Sequence, residues 1–145
     1  MILHLTRPGT AGHTGSSRRG ASLIEFALVA PVFILLVMGI IELGRVLMVQ
    51  HLMTNAARQG CRVGVIGGTS TQTISSKALQ ALSSQGVPSV QATVQVNHGS
   101  ADASTAKSGD EVTVIVSAPM SAISWVPFPG YSSGTLTGRY TLRRE

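Results

Sequence analysis

"RRGASLIEFALVAPVFILLVMGII", residues 18–41, decides how the rest of the chain is read. From Phe26 to Ile41 no residue is charged or strongly polar. Counted from Ala21, the apolar run has the roughly 20 residues that a helix rising about 1.5 Å per residue needs to cross a bilayer core. Pro31 would be expensive in a soluble helix. A membrane helix tolerates it when neighbours satisfy the freed carbonyl, here that of Ala27. One residue breaks the pattern. Glu25 places a carboxylate inside the span, where an ionised group costs about 3 kcal/mol on insertion scales.

Working outward, residues 1–20 carry Arg7, Arg18 and Arg19 and no acid. This basic leader places the N-terminus in the cytoplasm by the positive-inside bias and the remainder on the far side of the membrane. A cleaved secretory signal is the competing reading, and it needs a small-x-small site soon after the apolar core. "GIIELGRVL" follows Met38 instead, and the core is long for a signal peptide.

Beyond the span the helical pattern continues. Val46, Val49, Met53, Ala56, Ala57, Gly60 and Gly64 fall on one side at 100° per residue, and His51, Thr54, Asn55, Arg58 and Arg62 on the other. Residues 21–64 are therefore expected to be one helix from about Ser22, a transmembrane span continuing as an amphipathic stalk. Ala56, Gly60 and Gly64 recur every four residues. Two readings stand: they let a second surface approach the backbone closely, or the glycines only weaken and end the helix before "GGTST".

Residues 65–145 read as a small extracytoplasmic α+β head. Ser70 and Thr71 are candidate N-caps. Ile74, Ala78, Leu79 and Leu82 form one face of a short helix closed by Gly86. Alternation through Val90, Ala92, Val94 and Val96, through Val112, Val114 and Val116, and through Leu136, Gly138, Tyr140 and Leu142 marks three strands. The last alternation is the least tidy. The expected fold class is α+β: a long N-terminal transmembrane and amphipathic helix, then a short helix on a small three-stranded antiparallel sheet.

Composition removes several functions. Charged residues are 12% of the chain, and the net charge of +5 is concentrated in the leader, since the eight other Lys/Arg face all six acids. No basic run interleaved with aromatics supports nucleic-acid binding. Asp102, Asp110, Glu111 and His98 read as turn residues, with no ligand spacing for a metal. "GVIGG" follows a helix and lacks the Lys of a phosphate loop. No cofactor, no metal, no catalytic residue and no small-molecule substrate is expected, and the chain is not read as an enzyme. Cys61 is single, so no intrachain disulfide exists. It reads as a small buried residue, with an intermolecular disulfide as the alternative. Trp125, Phe128 and Tyr131 cap a small core or form a partner patch.

The N-terminal constellation of Arg18, Arg19, Gly20, Ala21 and Glu25 ahead of an aliphatic span resembles the processing site of type IV prepilins. The resemblance implies cleavage between Gly20 and Ala21 by a membrane-embedded prepilin peptidase, with Glu25 as the acid at the fifth mature position. More narrowly, residues 18–64 resemble the TadE-like pseudopilins of tight-adherence (Flp) pilus systems. The matching motifs are Glu25-Phe26-Ala27, Pro31, the stretch Gly39 to Arg45 reading "GIIELGR", and Asn55-Ala56-Ala57-Arg58 followed by Gly60 and Arg62. Phe26 departs from the Tyr that related pseudopilins carry. The ending "TLTGRYTLRRE" also resembles the family's. The resemblance implies a minor pilin held in the bacterial inner membrane and active in pilus assembly and adhesion. The implied partners are prepilin peptidase, other pilins and pseudopilins, inner-membrane assembly proteins and membrane lipid. A single-pass anchored extracytoplasmic binding protein with no pilus role is the alternative, and a membrane-tethered enzyme a more distant third.

Overall fold

The computed structural model describes residues 16–125 and 133–145, with side chains from Gly20 onward. Phe128 and Tyr131, and Arg7 in the leader, lie outside the described residues. Helix α1 runs Ser16–Gly64 with Pro31 inside it, α2 Thr71–Ser83, strand β1 Gln91–Val96, β2 Glu111–Pro119, the single-turn helix α3 Met120–Ile123, and β3 Thr135–Arg143. A 3-10 turn at Ala103–Thr105 interrupts the β1–β2 connection. The class is α+β, as the alternation and periodicity require.

The chain divides into two units, one ending at Gly39 and one spanning Ile40–Glu145. The division falls inside α1 and not after Gly64. From Val46 onward the apolar side of this amphipathic stretch is buried in the head's own core. In the first unit α1 is long and apolar enough to cross a membrane. Leu23, Ile24, Phe26, Leu28, Val32, Phe33 and Leu35 all point away from the chain, and no residue of the most apolar window is buried. Such a surface is stable in lipid and not in water.

In the second unit β2 is central, and all pairing is antiparallel in the order β1-β2-β3. Val96, Val112 and Leu142 share one row across the sheet, Val94, Val114 and Tyr140 the next, and Ala92, Val116 and Gly138 the third. Strand periodicity puts these rows on one face. That face meets Val49, Met53, Ala56, Ala57 and Cys61 of α1 and Ile74, Ala78 and Leu82 of α2. Ser70 caps α2 by accepting a hydrogen bond from the Thr73 N–H.

Two details differ from the sequence expectation. Leu79 is half-buried, and the buried ridge of α2 runs Ile74, Ala78, Leu82, a strict four-residue spacing. The helix also ends at Ser83, before Gly86, with Ser84 as its C-cap. Gly86 then takes the left-handed conformation (φ 67°) that turns the chain toward β1.

Candidate functional site

Gly20, Ala21, Glu25 and Phe26 lie on consecutive turns of α1, and all four are exposed. The helix begins at Ser16, earlier than the periodicity suggested, so Gly20 and Ala21 are already helical. Arg18 and Arg19 contribute backbone to this first turn. A β-carbon at Gly20 would meet nothing within 4 Å. Packing among the described residues therefore gives no reason for glycine there. Glu25 is likewise an exposed carboxylate on an otherwise apolar helix surface.

Ala56, Gly60 and Gly64 occupy the opposite situation. All three are buried. A β-carbon at Gly60 would sit 3.2 Å from Ala78 Cβ and 3.4 Å from Val114 Cγ1, and one at Gly64 would sit 3.0 Å from Ile74 Cδ1 and Val112 Cγ1. The surface that approaches these small residues is α2 and β2 of the same chain. On the next strand the fit is tighter. A β-carbon at Gly138 would lie 2.6 Å from both Met53 C and Thr54 N, so β3 crosses directly against the α1 backbone. The untidy alternation at Gly138 was the visible trace of this crossing.

At the start of the second unit, α1 and the α3 turn are fastened together. Glu42, buried at 6% exposure, accepts a hydrogen bond from the Trp125 backbone N–H (3.2 Å). The Arg45 Nε–H donates to the Ile123 carbonyl (2.8 Å), and its guanidinium lies 4.2 Å from the centroid of the Trp125 ring. Glu42 and Arg45 are three residues apart on one helix face, which lets both reach the same short segment. The sequence motif around Glu42 and Arg45 was legible, but its partner at Trp125 was not.

The other end of the head is closed by Arg144, buried although charged. Its Nη1 donates to the carbonyls of Ala103 (3.0 Å) and Ala106 (2.6 Å), and its Nη2 to that of Ile66 (2.7 Å). It thus ties the segment after α1 to the β1–β2 connection. The same connection is organised by two acids. Asp102 caps the 3-10 turn through the Ser104 N–H (2.7 Å). Asp110 accepts from the Lys107 N–H (2.7 Å) and from Asn97 Nδ2 (2.8 Å), and these bonds, the backbone one first, hold its carboxyl below the usual range. Among the described residues no three His, Cys, Asp or Glu are grouped to hold a metal.

Cys61 is fully buried between α1 and the sheet, its Sγ 3.1 Å from the Tyr140 carbonyl and 3.5 Å from that of Val112. Burial pushes the thiol up to about 11. A thiol that is neutral and enclosed is a poor nucleophile and out of reach of a partner's cysteine.

No curated protein and no solved structure matches the chain. The family comparison is positive and local. Its match begins at the Gly20 of the processing-like motif, takes in Glu25, the uncovered apolar surface and the Glu42–Arg45 fastening, and ends beside Cys61 in the buried stretch. Residues 20–62 match the TadE family model, described as TadE-like protein, so that over this segment the chain is TadE-like, akin to a family of pilus-associated proteins.

Proposed function

We propose that this chain is a TadE-like pseudopilin, a minor pilin acting in assembly of a tight-adherence (Flp-type) pilus. It is held in the bacterial cytoplasmic membrane by the apolar part of α1, with its N-terminus in the cytoplasm and its α+β head outside. A prepilin peptidase matures it between Gly20 and Ala21. One observation carries the reading: the TadE-like match covers the same helix whose apolar side chains are left uncovered by the described residues.

The chemistry of the motif supports it. Gly20 packs against none of the described residues, and a peptidase approaching the backbone at the membrane face would be obstructed by a Cβ. Since α1 already includes residues 16–21, the first turn must unwind for the scissile bond to enter a peptidase cleft. Glycine, the weakest helix former after proline, lowers the cost of that unwinding. Cleavage frees an α-amine at Ala21, one turn and a residue from Glu25. In a bundle of parallel helices the amine of one subunit and Glu25 of the next neutralise each other, and a carboxylate costly to a solitary anchor becomes a register device.

The test is the mass of the mature N-terminus of protein taken from native membranes. A chain beginning at Ala21 is expected, and Gly20→Leu should leave the precursor uncut. A mature protein that retains residues 1–20 would overturn the pilin reading and leave a single-pass anchored protein.

A further inference from the structure

We propose that the α3–Trp125 edge of the head rests on the bilayer surface, with the Trp125 indole in the lipid headgroup region and Glu42 fixing its depth. The proposal rests on the membrane-spanning reading of α1 and does not depend on processing at Gly20.

Glu42 is the first charged residue after the uncharged run Phe26–Ile41. The hydrocarbon boundary therefore lies near it. Trp125 is bonded through its backbone N–H to Glu42, and Ile123 through its carbonyl to Arg45. This short segment of the head is thus held at the level where the helix leaves the apolar phase. Trp125 is 72% exposed, the most exposed large apolar side chain described in the unit Ile40–Glu145. The Arg45 guanidinium lies over its ring, and among the described residues the rest of the indole is largely uncovered. On α1 the exposed apolar side chains do not stop at Glu42. Leu43, Leu47 and Met48 continue past it, and exposed polar residues begin at Gln50 and His51.

A headgroup layer accounts for each of these features. Indole rings concentrate at membrane–water interfaces, where the apolar ring and the N–H donor are both satisfied. An arginine there lays its stem on apolar surface and sends its charge toward phosphate. The layer is roughly 5–7 Å deep on each side, so it takes in the turn of apolar helix surface just past Glu42 and ends near Leu47. A second protein copy would cover the same residues, but nothing in that reading explains why they sit at the end of the span.

Trp125 is the single tryptophan of the chain, so its fluorescence reports this site alone. The full chain is reconstituted in vesicles of phosphatidylcholine and phosphatidylglycerol, and flotation is read first. A chain that does not float overturns the membrane reading itself. For a floating chain, quenching is compared between lipids labelled near the headgroup, lipids labelled deep in the acyl chain, and aqueous acrylamide. The expected result is a blue-shifted emission, with the largest intensity loss from the shallow label and little from acrylamide. Strong acrylamide quenching with no lipid quenching places the edge in water and overturns the proposal. Protection from all three places it under protein and overturns it equally. Glu42→Ala, checked for folding by circular dichroism, should lose shallow-label quenching and gain acrylamide quenching, and Glu42→Gln, which keeps an acceptor, should retain the wild-type profile. An unchanged profile in Glu42→Ala would remove the depth-setting role.

Discussion

Gly138 of β3 lies against the peptide that joins Met53 to Thr54 in α1, so close that a single added carbon would fall 2.6 Å from that backbone. Two backbones meet here with no side chain between them. Neither can yield as a flexible side-chain tip would. Gly138→Ala is therefore expected to destabilise the head by about 3 kcal/mol, the upper part of the range for overpacking. Thermal denaturation of the full chain in detergent checks it, with Gly67→Ala as the control, because a Cβ at Gly67 meets nothing within 4 Å. Equal melting of the two variants would mean the crossing is looser than drawn.

Arg144→Ala leaves the carbonyls of Ala103, Ala106 and Ile66 without their donor. Charge-assisted bonds of this kind put the loss at about 3 kcal/mol. Arg143, exposed and donating from its Nε–H to the Gly109 carbonyl, should cost well under half as much on truncation. Amide exchange should localise the Arg144 effect to the β1–β2 connection.

Cys61 gives an alkaline signature. Its folded thiol is raised from 9.0 to about 11, so the folded state keeps a proton that the unfolded state gives up first. The stability this contributes is complete below about 9 and is lost as pH rises toward 11. Other groups titrate in that window, so the readout is the difference between wild type and Cys61→Ala. The gap in unfolding free energy should change steadily across it. In the folded protein at neutral pH, Cys61 should resist alkylation and become labelled only on unfolding.

Asp110 gives the acid counterpart. Its carboxyl is depressed below 3.8 by the Lys107 N–H and the Asn97 amide. The ordering it provides is present above 3.8 and is lost as pH falls through the folded value. The protection of the Lys107 amide, measured against its intrinsic exchange rate at each pH, should fall over that descent, and Asp110→Ala should show the lowered protection already at neutral pH.

Glu25→Gln should insert at least as well as wild type, because a charge is removed from the span. If the chain is the processed pseudopilin proposed above, association with neighbouring helices should weaken, and only when the Ala21 amine has been freed. Crosslinking in wild type, Glu25→Gln, a Gly20-blocked variant and the double mutant isolates the coupling. Equal weakening with and without cleavage would mean Glu25 serves another partner.

Much of this was visible in one dimension. The long apolar helix, the short helix and the strands depend on periodicity and local residue type, which a sequence displays. The face carrying Ala56, Gly60 and Gly64 was equally plain, but periodicity shows only that a face is smooth. It does not tell whether α2 and β2 or another molecule lies on it. The bond between Glu42 and Trp125 joins residues 83 positions apart. Nothing in local spacing encodes such a meeting. Arg144 was hidden for a different reason. Terminal arginines are ordinarily solvated, and its burial depends on three backbone carbonyls that no side-chain pattern records.

The hydrogen bond from Cys61 to Tyr140 spans 79 positions and has a consequence in time. The ribosome makes α1 well before β3. Throughout that interval the apolar stripe of Val49, Met53, Ala57 and Cys61 exists without the sheet that will cover it. A chain that delays its own closure in this way exposes a sticky amphipathic segment beside the membrane during synthesis. Its yield in the cell should therefore depend on how quickly the last strand arrives, and on whatever holds the unfinished segment until then.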